Sequence, residues 1–564
     1  MGHPAGFRTC YAAIPILFSI DTCPLVRSQC MIYSILPKIL LMPFFDFHCH
    51  PGMKSRLAPK GQEPSPWVSI KVQLEIWKSI RVNISPAFAD ALDSQASLHQ
   101  LWEGSVNLIG LIIHSIEKHV AAGLLELGIV RDGAILQLDP EKIAASAKGD
   151  QYYKIAKTEI QGLVDNATPP ESMGLPAGVK LKFIRSMNEY DRNDPNTIHA
   201  LLILEGSQNL FNDPDAPDAK EQFFNNLNDL TTNFRLFAMN LCHFQQQPIA
   251  NHAFAMQVLN NILPFYPKER GITEWGFEVI RELYRRGILV DLKHLGHFSR
   301  KELYRMRAEE GIELPLICSH AGVTGISEMD KLQYIYRESP KDEGPVWKIN
   351  FLKKWGHVKD TAYNMISLNL YDEDIEQIII SGGMIGISLD QRIIGFPGDE
   401  PILYKEGILP TDLDYISKKE ADVFFGPQSP ANFPPAAEDN EVVMNADDAA
   451  NQNSGFTEEL HALYFLNQVL HVLWVAKKSK RGIKLKDALR LICIGSDLDG
   501  LVNPIDCCMT TADYADFKNK LLKIMSKKSF WRGTGFAFGE IDSASLLDNI
   551  FFNNAEAFLM KHYI

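Results

Sequence analysis

Two histidines one residue apart, His48 and His50, follow the run Pro-Phe-Phe-Asp-Phe at positions 43–47. In an extended segment positions 46, 48 and 50 point the same way, so both imidazoles can reach one ion. Neutral imidazole suits zinc and similar borderline metals. Glu205 follows the run ALLIL at 200–204. A carboxylate there is expensive to desolvate unless it is paired or coordinated to a cation, and its two oxygens could bridge two ions. His294, in GILVDLKHLGH, and His320, in LPLICSH, supply the ligands a second ion would need. Asp497, in ICIGSDLDG, could take a proton from an activated water and later pass it to a leaving amine. Two ions about 3.5–4 Å apart would activate that water and polarise a scissile carbonyl, and His243 could donate to the developing oxyanion.

These residues need a scaffold that brings them together. Eight short apolar, β-branched runs alternate with longer stretches of helical period: 43–48, 107–113, 200–204, 234–241, 287–290, 314–318, 383–389 and 491–495. The stretches 275–286 and 300–310 repeat apolar residues at three and four positions, as amphipathic helices do. Such alternation implies βα units on a parallel sheet. No GxGxxG turn follows any run, and eight units fit a (β/α)₈ TIM barrel with long insertions better than an open doubly wound sheet. Six of the runs end in or near His, Glu or Asp. In a barrel, strand carboxyl ends converge on one face, where active sites are built. Two segments exceed the minimal barrel. Residues 334–364 are polar and basic, and residues 397–454 are rich in Pro, Asp, Asn and Ala, which predicts a loop-like insertion or a lid.

The chain has 564 residues and a formal charge of −13, which argues against non-specific nucleic-acid binding. Nine cysteines with no CxxC pair predict reduced, structural thiols rather than a disulfide framework or a thiolate zinc site. Residues 1–41 read as a poorly ordered extension before a hydrolase domain that starts at Met42. Their apolar runs are too short for a membrane span, which takes roughly 20 residues. A cytoplasmic location is expected, with an N-terminal secretory signal as the alternative. Among the remaining candidates, His114 ends the second run but is placed outside the ligand set. His252 and His297 read as supporting or surface residues, Cys49 as core, and Asp291 as a group orienting His294 or neighbouring backbone.

Several segments resemble the membrane (renal) dipeptidase family of the metal-dependent amidohydrolase superfamily. They are GITEWGFEVIRELYRRGILVDLKHLGHFS, PLICSHAG, IGSDLDG, LILEG, NLCHFQQQPIAN and the closing NIFFNNAEAFL. The resemblance runs from about Met42 to the C-terminus. It implies that His48 and His50 hold one metal, that Glu205 bridges, and that His294 and His320 hold the second. It further implies that Asp497 is the acid/base and that His243 contacts substrate. The expected cofactors are two divalent ions, Zn²⁺ by preference. The expected reaction is hydrolysis of the amide bond of a dipeptide or similar small molecule, with no nucleic acid or membrane span involved and a homodimer as the assembly to test. Two departures stand out. His50 occupies a position where the family has Asp, and Leu368 falls where it has a carboxylate-binding arginine, with Arg392 and Arg337 as replacements to consider. A lactone, a cyclic amide or another C–N bond is therefore the alternative substrate class, ahead of a barrel without catalysis.

Overall fold

The computed structural model describes residues 42–59, 61, 64–71, 91–126, 138–254, 263–330, 335–338, 346–351, 354–395, 413–425 and 454–564. Twelve strands form among them: β1 (Phe44–Cys49), β2 (Val106–Ile113), β3 (Lys180–Phe183), β4 (Thr197–Leu204), β5 (Leu236–Asn240), β6 (Leu289–Asp291), β7 (Ile317–Ala321), β8 (Ile335–Glu338), β9 (Val346–Phe351), β10 (Met384–Ile387), β11 (Leu413–Ser417) and β12 (Ile492–Ile494). Eight of them pair in the order β1-β2-β4-β5-β6-β7-β10-β12, every neighbour parallel. The last strand returns to the first just past its own end. Asp497 N–H donates to the His48 carbonyl at 2.8 Å, and His50 N–H to that of Leu498 at 3.0 Å. The protein is a (β/α)₈ barrel, and the eight expected runs are its eight strands.

Period-two alternation divides each strand between two cores. Phe45, Phe47, Leu201, Ile203, Phe237 and Ile317 share one buried cluster, which the C-terminal helix Asn554–His562 caps with Phe558, Leu559 and neighbouring Tyr563. Val290, Leu202, Leu204, Ile385 and Ile494 face the other way and pack against the surrounding helices. Fully burying a side chain of this size is worth about 1.5–3 kcal/mol.

The unit that delivers His294 shows how local sequence sets position. Thr273 Oγ1 accepts from Gly276 N–H and caps the helix Glu274–Arg285, which has Glu274 in its first turn and Arg285 in its last. Val279, Ile280, Leu283 and Tyr284 are its buried residues. Gly287, at φ 70°, ends it in the left-handed region that a side chain would resist, and β6 begins two residues later.

Among the described residues, parts of both insertions form regular elements. Within 334–364, β8 and β9 form an antiparallel pair, and β11 from the 397–454 segment adds to β9. The helix Lys418–Phe425 follows directly. Tyr415 packs on Phe254, Tyr266 and Val346 in an aromatic cluster, so residues 413–425 are not the loop expected of them. Their pattern is legible once isolated, but the Pro- and Asn-rich flanks dominate the composition. The flanks, like the extension at 1–41, lie outside the described residues. Among those residues no helix is long and apolar enough to cross a membrane.

Candidate metal centre

β1 places two imidazoles at the carboxyl end of the barrel by departing from regular pairing. Its register against β2 shifts between Asp46 and Cys49. Asp46 therefore does not share a direction with His48 and His50, as simple alternation had implied. Its carboxylate instead accepts from Ser496 N–H at 3.0 Å, from the Ser496 hydroxyl, and from Tyr514 Oη at 2.7 Å, tying β1 to the end of β12. Cys49 belongs to the outer core, as expected.

Glu205 stands at the centre, and each of its oxygens faces a set of imidazoles. Oε1 lies 3.3 Å from His48 Nε2, 3.2 Å from His294 Nε2 and 3.5 Å from His320 Nε2. Oε2 lies 3.6 Å from His50 Nε2, 3.5 Å from His114 Nδ1 and 3.9 Å from His243 Nε2. Asp497 Oδ1 is 3.3 Å from His50 Nε2 and 3.7 Å from His48 Nε2. The structure thus brings together all seven residues expected from the sequence, His48, His50, Glu205, His243, His294, His320 and Asp497, and adds His114. Most are sealed from solvent. The side chains of Asp497 and His243, 15% and 10% exposed, open furthest.

The surroundings prepare these groups. Ser319 Oγ sits 2.8 Å from His48 Nδ1 and 3.0 Å from His320 Nδ1, which leaves both Nε2 atoms turned to Glu205. Asp291 Oδ1 accepts the N–H groups of Lys293 and Ser319, as expected of a backbone clamp. His294 and Asp497 adopt φ 68° and 64°, in the left-handed region that few non-glycine residues enter. A side chain at Gly500 would meet Asp497 Oδ1 at 2.5 Å, so the bend that aims Asp497 needs glycine there. Burial drives His50, His294 and His320 well below the ordinary histidine range, so they stay neutral at pH 7. Burial alone would raise Glu205, but His243 and His48 hold it well below the usual carboxylate range. Asp497, in contrast, is pushed by burial up to about 7.

Imidazoles, three of them held neutral, gathered around an ionised carboxylate are the kind of donor set a divalent ion takes. His48 Nε2 and both ring nitrogens of His50 are buried without a hydrogen-bond partner, an expensive state unless they coordinate something. The ligand atoms of His48, Glu205 and His320, and separately those of His48, His50 and Asp497, lie within 4.8 Å of one another. The residues present fit a cation pair.

Other expectations resolve differently. His252 and His297 are both buried, bonded to the Phe265 carbonyl and to Glu328, so neither is a surface residue. Leu368 is 3% exposed and part of the core. Arg392 makes a forked ion pair with Asp390 at 2.6 and 3.0 Å, and the side chain of Arg337 lies outside the described residues. Glu117 and Lys293 were missed. Glu117 Oε1 accepts from His243 Nδ1 at 2.7 Å and from Phe244 N–H at 2.9 Å. The Lys293 ammonium is buried beside His294 with no hydrogen-bond partner. Glu117 stands three residues beyond a strand-end histidine, a spacing that could have drawn notice, whereas Lys293 had no such signal.

No family model and no curated protein matches the chain. Solved structures do resemble it. Dipeptidase AC, a metallo peptidase, is 12% identical with a TM-score of 0.45, over 93% of this chain and 99% of that one. A metallo peptidase from Rhodobacter sphaeroides, liganded with a phosphinate mimic of the dipeptide L-Ala-D-Ala, is 12% identical with a TM-score of 0.45, over 92% and 98%. A probable dipeptidase from Pseudomonas aeruginosa is 12% identical with a TM-score of 0.44, over 95% and 99%.

Proposed function

We propose that the chain is a metal-dependent hydrolase that cleaves the amide bond of a dipeptide or similar small molecule. The observation that carries this reading is the arrangement around Glu205: buried imidazoles on both carboxylate oxygens, with Asp497 and His243 at the opening. His48 and His50 would hold one divalent ion, Zn²⁺ by preference, and His294 and His320 the other, with Glu205 between them. Such a pair, when bound, supplies Lewis acidity that lowers the pKa of water and polarises a carbonyl oxygen. Asp497 takes the proton of the attacking water and returns it to the leaving amine, a role that its position at the opening suits. His243, fixed by Glu117, contacts the substrate on the other side of Glu205. The resemblance of the strand-end segments to the membrane dipeptidases supports the amide substrate.

The test is metal content by elemental analysis on wild type and Glu205→Ala in parallel, with dipeptide hydrolysis assayed on the same samples. About two or more ions per chain in the wild type, with metal and activity both falling in the variant, is the expected result. A metal-replete preparation that retains no ion would sink the reading.

A second substrate class, a lactone, cyclic amide or other C–N bond, draws on the carboxylate-binding side of the site. Leu368, which falls in the sequence where the family has its arginine, is apolar and buried, and Arg392 is engaged by Asp390. A panel of free dipeptides, N-blocked peptides and lactones separates the two, and fast turnover of free dipeptides removes the second.

A further inference from the structure

Glu117 is a buried carboxylate beyond the residues assigned above, and it braces two histidines at once. His243 Nδ1 lies 2.7 Å from its Oε1, and His114 Nε2 lies 3.3 Å from its Oε2. The opposite nitrogens of the same two rings, His243 Nε2 and His114 Nδ1, converge on Glu205 Oε2 at 3.9 and 3.5 Å. The ligand atoms of His114, Glu205 and His243 lie within 4.8 Å of one another. Among the described residues no lysine or arginine pairs with either carboxylate, and Glu117 Oε2 is buried without a hydrogen-bond partner.

Metal-bound histidines usually donate their second N–H to a carboxylate or carbonyl, which fixes the tautomer and raises ligand basicity. Glu117 can serve both rings in this way. Because its Oε1 accepts a hydrogen bond from His243 Nδ1–H at 2.7 Å, the opposite nitrogen, Nε2, is the one placed to offer its lone pair to an ion. His114 Nδ1 now meets the Glu205 carbonyl oxygen at 3.1 Å. Against burial, Glu117 holds the His114 ring protonated up to about 9, so an ion at Nδ1 would displace the proton there while Nε2, 3.3 Å from Glu117 Oε2, keeps its own. We propose that His114 and His243, with Glu205 Oε2 between them and Glu117 behind them, form a further divalent-cation position. It is separate from the His48–His50 and His294–His320 positions and shares only Glu205 with them. The inference rests on the metallohydrolase reading for the identity of Glu205 as a bridging ligand. It also changes the part assigned to His243, which would reach substrate through the ion it holds.

Titration of the chelated full chain with Co²⁺ alone, followed by elemental analysis and by visible absorption, tests this. Wild type should saturate near three equivalents. His114→Asn and His243→Asn should each saturate one equivalent lower and lose the same absorption component, while Glu117→Gln should bind that equivalent at least tenfold more weakly, as orienting carboxylates commonly do (about 10–100-fold). The equivalents still bound report that the variants are folded. If His114→Asn keeps the wild-type number of equivalents and an unchanged spectrum, the position is overturned and the metallohydrolase reading stands. A wild type that binds no Co²⁺ removes both.

Discussion

Asp497 combines a left-handed backbone, a mostly buried carboxylate and a neighbouring cluster of imidazoles, so its protonation responds to whatever fills the site. Without cations its pKa lies near 7, above the ordinary 3.8. A group raised on folding contributes stability that is complete below its unfolded pKa and is lost as pH rises through the folded one. Metal-free wild type should therefore lose stability between about pH 4 and 7 as this carboxylate is forced to ionise. Metal-free Asp497→Asn should be more stable than wild type at pH 8, by a margin of about 1–3 kcal/mol, and the two should converge near pH 3. Urea unfolding of both proteins at the two pH values measures it; a margin that persists at pH 3 would assign the effect to packing. Under the proposed reading the same substitution in the metal-loaded protein should lower kcat by about 10²–10⁴-fold per bound ion, with metal content measured on the same sample.

Between elements, one buried polar link is Arg300, which lies inside the structure although the helix His297–Glu310 looks solvent-facing on its charged side. Its guanidinium meets Asp374 at 2.7 Å, each side chain 1% exposed, and also bonds the carbonyls of Asn369 and Ser367. Asp374 in turn accepts from Tyr371 N–H at the start of the helix Asp372–Ile380. Asp374→Ala strands a buried cation and should cost about 3–5 kcal/mol, whereas Arg300→Met with Asp374→Leu should recover most of that. Chemical denaturation of the single and double variants decides it, and a single variant within 1 kcal/mol of wild type, against the expected 3–5, would refute it. A buried charge of this kind is invisible to hydrophobic periodicity, which assigns every Arg and Asp to the surface. The barrel strands were legible for the complementary reason. Apolar runs such as ALLIL have one plausible use, and His48, Glu205, His294, His320 and Asp497 each sit directly on or just past such a run. The spacing of Glu117 from His114 was open to notice, but its partner was not, because β2 and β5 bring it to His243 across 126 residues of sequence. The strand and helix at 413–425 were hidden by the composition around them.

For the molecule as a whole, cations that bind only the folded barrel shift its unfolding equilibrium by mass action. At a free concentration one hundred times Kd, one site adds about 2.7 kcal/mol. Chelation should therefore lower Tm, and Zn²⁺ restore it in a concentration-dependent way, while Glu205→Ala shows neither response. Scanning calorimetry with and without chelator reads this out, and a wild-type Tm indifferent to chelation would contradict it.

The hydrogen bonds that join Asp46 and His48 to Ser496 and Asp497 span about 450 residues. During synthesis the first histidines leave the ribosome long before the last carboxylate exists. By residue 320 the chain already carries all of the centre's imidazoles and Glu205, but the strand that holds the first two is not yet tied to Ser496 and Asp497, so a nascent or truncated chain lacks the bonds that fix their geometry. If the centre takes metal as proposed, uptake would report that the ring has closed, and the ion would act as a seal on a finished fold.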